Sequence, residues 1–302
     1  MTDAVLLVGF GGPENPSQIR SFVLRVLEGR PVPPGRIDEV VDHYLQVGGS
    51  SPYIAETRRL AGALSSALAR RGRPLEVLTG YRYSDPSLAE QISAASARGV
   101  RRLVAVAMTP WGGTDAGDRY RSAVRAALQG DGESIPPVEV RWVPAFHQAT
   151  GFIAGWVDRI VSAAPKLPDW HLLFTAHSVP VSAAEPYRSQ VAFACERIAS
   201  ALDRPAGSWS LAWQSRSGKP DEPWLGPDVS EELARLAADS SPAILAIPIG
   251  FLCEHVEILY DLGVEARAVA ERYRIPFLVC PAISDHPQLA GHLAGAVCET
   301  LS

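Results

Sequence analysis

The chain has 302 residues, 47% of them hydrophobic and 20% charged, which is enough for two domains of ordinary size or one large one, with a proper core. A net charge of −5 and the lack of any long Lys or Arg run exclude a nucleic-acid footprint. The longest apolar run, Ala243 to Cys253, is short of the about 20 residues a membrane span needs, and the start MTDAVLLVGF has no basic region, so a cytoplasmic protein without an integral membrane segment is expected.

Val5 to Val8 reads as a strand that breaks at Gly9, Gly11, Gly12 and Pro13 before a helix from Pro16 to Leu27. GFGGP lacks the full G-x-G-x-x-G spacing, and Pro13 stands where an open helix N-terminus would be needed, which disfavours a nucleotide. The same glycines allow close approach by a flat ligand, with Phe10 offering an aromatic face. After the turn PVPPG, Val40, Tyr44 and Val47 recur at helical spacing, and Gly48-Gly49 followed by Pro52 ends that helix.

Thr57 to Arg71 reads as an amphipathic helix and Leu75 to Gly80 as a second strand, with TGYRYSDP at its carboxyl end. Arg82, flanked by Tyr81 and Tyr83, therefore lies at the ligand edge or is a surface charge stacked on its neighbours. Leu88 to Arg98 follows as a helix, Leu103 to Ala107 as a strand, and TPWGGTDAGDRY as a glycine-rich loop leading to a helix near Arg121. DGESIPP reads as an external loop before the strand Glu139 to Trp142.

The second half repeats the pattern. Phe152 to Ala163 is a helix, His171 to Thr175 a strand ending in AHSVP, and Pro186 to Leu202 a helix. Ser208 to Trp213 is a strand ending in QSRSGKPDEPWLGP, and Val229 to Ala238 is a helix. The apolar strand from Ala243 runs through Pro248 and Gly250 into a charged helix start near Cys253; Phe277 to Cys280 is the last strand and Pro287 to Leu301 the last helix. Such βα repeats predict an α/β fold with mostly parallel sheets, in two similar halves with a cleft between them.

With a helix start near Cys253, Glu254, Glu257 and Asp261 share one face at steps of three and four, either as a solvated acidic stripe or as a site for a cation or proton traffic. His177 follows a strand directly and reads as a metal ligand, a proton acceptor or a satisfied polar residue; no G-x-S-x-G elbow supports a hydrolase built on the His177-Ser178 step. One imidazole and one carboxylate make an open, incomplete shell that holds a divalent ion weakly, which suits an enzyme that passes metal on. Phe10, Tyr44, Tyr83, Trp111, Tyr120, Trp213 and Trp224 fall at predicted loop or cleft edges and suit a flat ligand, although aromatics are more often core. Cys195, Cys253, Cys280 and Cys298 are too widely spaced for C-x-x-C motifs and read as buried thiols, Cys253 set apart by its place beside the acidic helix.

LLVGFGGPE at 6 to 14, HYLQVGGSSP at 43 to 52, FTAHSVP at 174 to 180, WQSRSGKPDEPWLGP at 213 to 227 and PIGFLCEHVEILYD at 248 to 261 together resemble the ferrochelatases over nearly the whole chain. The resemblance implies two Rossmann-like domains with parallel four-stranded sheets and a cleft between them, one over 1–143 with the C-terminal helix of 287–302 packed back on it, the other over 144–286. It implies insertion of Fe²⁺ into a porphyrin, with His177 as iron-binding and proton-accepting residue and Glu257 as its carboxylate partner. Ser51 and Tyr120 match tetrapyrrole contacts and Phe10 the residue at the metal face; Tyr44, Trp213 and Trp224 would be pocket wall. Glu254, His255 and Asp261 match an acidic helix that handles protons or metal.

The short polar stretch from Arg25 to Tyr44 looks like the enzymes that act on coproporphyrin III rather than those that use protoporphyrin IX. A tetrapyrrole carrier without insertion activity and a cobalt or nickel chelatase of related fold are the other readings. Leu27 and His43 stand where some short members carry arginines for propionates, Glu254 stands where aspartate is usual, and WGGTDAG replaces a Ser- and aromatic-rich loop. Phe10 replaces a tyrosine used by some relatives as an axial ligand, so it cannot ligate iron. Cys298 stands alone near the end, so no [2Fe–2S] cluster is expected; the protein is expected to be a monomer with no tightly bound cofactor, taking Fe²⁺ as a substrate.

Overall fold

A computed structural model describes residues 2–29, 32–113, 115–129, 138–164, 170–216, 221–239 and 243–302. The expected loop DGESIPP at 131–137 and residues 217–220 of the segment after the sixth strand lie outside the described residues. The chain divides into two compact units, one of Met1–Phe146 with Ser284–Ser302, the other of His147–Ile283.

The first unit runs β1 (Thr2–Gly9), α1 (Pro16–Leu27), α2 (Arg36–Gln46), α3 (Tyr53–Arg70), β2 (Glu76–Tyr81), α4 (Leu88–Ala97), β3 (Val100–Ala107), α5 (Asp115–Gln129) and β4 (Glu139–Trp142). Its sheet is parallel in the order β2-β1-β3-β4. The central place of β1 explains its composition: a strand covered on both faces reads as a continuous apolar run, and Ala4 to Val8 are fully buried. Local signals set the helix starts, with Pro16 in the first turn of α1 and a Ser87/Glu90 capping box on α4.

Helix α5 begins inside the segment read as a glycine-rich loop. Beyond Gly112 and Gly113 the sequence places Tyr120, Val124 and Ala127 at helical spacing, all three in the core, and Asp118 near the helix N-terminus where the macrodipole favours an acid.

The second unit runs α6 (Thr150–Ala163), β5 (Trp170–His177), a 3₁₀ turn (Val181–Ala183), α7 (Tyr187–Ala201), β6 (Trp209–Gln214), α8 (Val229–Ala238), β7 (Ala243–Ile247), a π-helix (Glu257–Ala266), α9 (Arg267–Arg272) and β8 (Phe277–Val279). Its sheet is parallel in the order β6-β5-β7-β8, the order of the first unit again. Residues Ala243 to Ile247 of β7 are all buried, and α8 starts on an Asp228/Glu231 capping box.

The last helix, α10 (Pro287–Leu301), belongs to the first unit, where it packs on α3. Leu60, Leu64 and Leu68 line one face of α3, and Leu289, Leu293, Val297 and Leu301 one face of α10; all seven are buried. At roughly 1.5–3 kcal/mol for each buried aliphatic side chain, this burial outweighs the hydrogen bond that Ser284 Oγ donates to the buried Glu56 at 2.8 Å and the one that Arg71 donates to the Gly291 carbonyl at 3.3 Å.

Candidate active site

In an open parallel sheet, ligands sit beyond the carboxyl ends of the strands where the strand order reverses. In the second unit that point lies between β5 and β7, and His177 is the last residue of β5. Its Nδ1 bonds the Ser178 carbonyl, which can only accept. Nδ1 therefore carries the proton in the neutral ring, and Nε2 keeps a lone pair. That Nε2 is 3.9 Å from Glu257 Oε1, with both side chains about one-third exposed, at 33% and 39%.

A gap of 3.9 Å is too long for a hydrogen bond, and it is close to twice the about 2.1 Å of a metal bond to imidazole or carboxylate. The pair thus offers a proton acceptor and two metal donors without locking them together. Among the described residues no group of three or more His, Cys, Asp and Glu is placed to hold a metal ion.

Gly250 brings β7 to this point. Its N–H donates to the Thr175 carbonyl at 3.1 Å, and a Cβ added to it would lie 2.7 Å from Ala176 Cα, against the strand end that carries His177.

The expected helix start near Cys253 is corrected. The helix begins at Glu257, and Cys253, Glu254 and His255 precede it. The His255 ring takes the capping role: its Nδ1 accepts from Glu257 N at 3.2 Å, its carbonyl accepts from Ile258 N and Leu259 N, and the ring packs edge-on to Phe251 at 4.3 Å. Burial lowers the His255 pKa. Glu254 does not share a face with Glu257 and Asp261 either, because its carboxylate accepts from Ala282 N at 2.8 Å.

The acidic row is instead Glu257, Asp261 and Glu265. In a π-helix the i→i+5 ladder widens the turn, so residues four apart stand nearly above one another. Asp261 is the innermost of these groups. Burial, reinforced by the charges of Glu257 and Glu265, raises its pKa to about 7 against the opposing hydrogen bonds of Ser215 and Gln214. A carboxyl poised there can hold or release a proton near neutrality.

Ser215 and Gln214, with Tyr187, are the residues that sequence reasoning missed. Ser215 Oγ donates to Asp261 Oδ2 from a backbone with φ of 61°, and the amide of Gln214 donates to the Glu257 carbonyl at 2.8 Å and to Asp261 Oδ2 at 3.3 Å. Tyr187 backs the site: its hydroxyl bonds the His177 backbone and its ring meets Trp213 at 5.7 Å, while burial pushes its pKa up. The signal for the first two was their place in the quoted segment WQSRSGKP; Tyr187 had none.

Trp213 is buried against Tyr187, so it supports His177 from behind. Trp224 is half-buried; it pairs with Pro180, three residues beyond His177, and its Nε1 donates to Glu222 at 3.3 Å. Of the cysteines, Cys195, Cys253 and Cys280 are buried, but Cys298 is only partly so.

In the first unit the strand ends collect the remaining candidates. Phe10 follows β1, its N–H donating to the Tyr53 hydroxyl at 3.0 Å, and its ring meets Tyr83 edge-on at 4.8 Å and Phe22 at 6.1 Å. Tyr44 is buried against Phe22 at 6.1 Å. Arg82 donates to the Tyr83 hydroxyl at 2.8 Å, with its guanidinium 4.8 Å from the Tyr83 ring and 5.7 Å from that of Tyr120.

Several expectations for this unit change. Tyr44, Trp111 and Tyr120 were expected at loop or cleft edges and are buried, Tyr120 within the core cluster. Ser51 is also turned inward, 6% exposed, its hydroxyl accepting from Tyr53 N at 3.3 Å. Gly11 and Gly12 of the first turn make room for the protein's own serines. A Cβ on Gly12 would stand 2.7 Å from that of Ser51, and one on Gly11, whose φ is +101°, 2.5 Å from Ser84 Oγ.

The profile of the ferrochelatase family matches residues 2–301. A coproporphyrin III ferrochelatase of Propionibacterium freudenreichii subsp. freudenreichii is 34% identical over 311 residues, which cover 99% of this chain and 88% of that protein. One of Mycobacterium avium (strain 104) is 39% identical over 275 residues, 89% of this chain and 79% of that one.

The solved structure of SirB from Bacillus subtilis with Fe3+ superposes with a TM-score of 0.61 at 12% identity, over 99% of this chain and 96% of that one. CbiX, described as the terminal enzyme for biosynthesis of siroheme in denitrifying bacteria, gives 0.57 at 15% identity, over 99% and 100%. At those identities the likeness bears on fold alone. The chain belongs to the ferrochelatase family, whose enzymes take iron and a porphyrin as substrates. No helix among the described residues is long and apolar enough to cross a membrane.

Proposed function

We propose that this enzyme inserts Fe²⁺ into coproporphyrin III to give coproheme in haem biosynthesis, with His177 and Glu257 at the point of insertion. Insertion exchanges two pyrrole N–H protons for one metal ion that must shed its water, so the site needs a base and weak ligands together. The observation that carries the reading is the 3.9 Å pair: a lone pair on His177 Nε2 facing a carboxylate, with neither group committed to a hydrogen bond with the other.

His177 Nε2 takes a pyrrole proton, and Glu257 guides the incoming ion and compensates the imidazolium that forms. Asp261, four residues along the π-helix, accepts protons from that region and returns them to water, for which a pKa of about 7 is suited. On the first unit Phe10 and Arg82 are the groups offered to a porphyrin, Arg82 as a cation for a propionate; on the second unit it is Trp224. Tyr44, Ser51, Tyr120 and Trp213 support these groups from within.

The choice of coproporphyrin III is supported by the names of the relatives, which cover most of their length with this chain. The reading keeps the enzyme a cytoplasmic monomer without a resident cofactor or [2Fe–2S] cluster, which light scattering and visible absorbance of the purified protein test.

The deciding experiment is an anaerobic assay with Fe²⁺ and either coproporphyrin III or protoporphyrin IX. The first is expected to be metallated faster. His177→Ala is expected to cut turnover by roughly 100-fold or more while porphyrin still quenches tryptophan fluorescence. Full turnover in that variant would remove His177 from the chemistry, and binding without turnover in the wild type would leave a carrier.

A further inference from the structure

Gln214, the last residue of β6, joins the two sides of the His177–Glu257 pair. The β5–β6 register sets it directly beside His177, and its carbonyl accepts from Ser178 N at 2.7 Å, which fixes the strand end on which the imidazole stands. Its side chain reaches the other way. The amide donates at 2.8 Å to the carbonyl of Glu257, in the first turn of the π-helix, and at 3.3 Å to the carboxylate of Asp261.

One residue therefore holds both partners of the pair, through the backbone on one side and the side chain on the other. The cost is visible at its other end. Gln214 is 2% exposed, and its Oε1 is buried with no hydrogen-bond partner among the described residues. A glutamine kept only to fill space would be better replaced by an apolar side chain, because an orphaned buried acceptor destabilises. What the amide supplies is its donor.

We infer that Gln214 is a positioning residue for metal insertion: by holding the first turn of the π-helix against the end of β5, it sets the separation of His177 and Glu257. This rests on the reading of His177 and Glu257 as the insertion pair. Without the donor, the first turn is free to shift, and a pair set for one small ion loses its spacing while the porphyrin wall is untouched.

The test compares Gln214→Met, which keeps the volume and removes the orphan, with Gln214→Glu, which keeps the shape and removes the donor. Both are assayed anaerobically for Fe²⁺ insertion, alongside His177→Ala. Both Gln214 variants are expected to lose about 10- to 100-fold in kcat, as residues that orient ligands do. The KM for iron should rise while porphyrin affinity stays at the wild-type value, and Gln214→Met should melt no lower than the wild type. A purely structural role would lower the melting temperature and leave kcat and the iron KM of folded enzyme unchanged. If either variant fails to fold, the other is read alone. Wild-type kinetics in a folded Gln214 variant, with His177→Ala inactive, overturns the role of Gln214 only. Activity retained in His177→Ala overturns the underlying site.

Discussion

The Ser215 hydroxyl donates to the Asp261 carboxylate, and through that bond the left-handed end of β6 is tied to the π-helix one turn beyond Glu257. The contact does not fully offset the burial of Asp261, whose carboxyl remains raised to about 7.

This gives a pH dependence with a definite sign. The folded chain binds the Asp261 proton more tightly than the unfolded chain, where the carboxyl titrates near 3.9. Stability from this group is therefore full below about pH 4, falls as pH rises toward about 7, and is level above that. Asp261→Asn removes the dependence. Its melting temperature relative to wild type should be clearly higher at pH 8 than at pH 5, and an equal difference at the two pH values would contradict the assignment.

Glu257→Gln keeps the shape and removes the charge. Insertion of Fe²⁺ is expected to fall roughly 100-fold, because the imidazolium and the incoming cation both lose their counter-charge. Glu257 is also one of the charges that raise Asp261. The same variant should therefore move the midpoint of the pH-dependent stability downward, which melts across pH 5 to 8 will register independently of activity.

Gly250→Ala brings a methyl group against backbone, not against a flexible side-chain tip. The nearest atom is Ala176 Cα at 2.7 Å, so β5 or the turn after β7 must move. A loss of about 1–3 kcal/mol in denaturant unfolding is expected. Activity should fall further than stability alone explains, because the displaced strand carries His177.

Arg82→Ala leaves the aromatic contact between Phe10 and Tyr83 in place and removes the cation beside it. If Arg82 meets a propionate, coproporphyrin affinity should drop by about tenfold or more, with kcat at saturating porphyrin nearly unchanged. Fluorescence titration checks the first expectation and steady-state turnover the second.

The central strands could be read from sequence because their physics is local: LLV in β1 and AILAI in β7 are apolar runs bounded by glycine and proline, as doubly covered strands must be. His177 falls at a strand end by the same logic, whereas Glu257 is singled out from its acidic neighbours by the resemblance to the ferrochelatases. The true helix start escaped because Glu254, Glu257 and Asp261 have valid helical spacing, while the cap depends on where the His255 ring turns. Gln214 and Ser215 escaped for a related reason. A polar pair ending a strand is ordinary in sequence, and the left-handed backbone of Ser215 becomes visible only with coordinates. The packing of Gly11 and Gly12 on Ser84 is not legible in sequence because Ser84 lies 72 residues from Gly12.

The return of α10 to α3 has a consequence for synthesis. The first unit opens the chain and also closes it, with 137 residues of the second unit, His147 to Ile283, in between. From the end of α3 at Arg70 to the start of α10 at Pro287 the chain is longer still, and at ribosomal speeds of about 5–20 residues per second the leucine face of α3 waits roughly 11 to 43 seconds for its cover. The newborn protein therefore carries a bare greasy stripe through most of its translation, a natural landing place for a holding chaperone, while the later half is free to fold ahead of the earlier one.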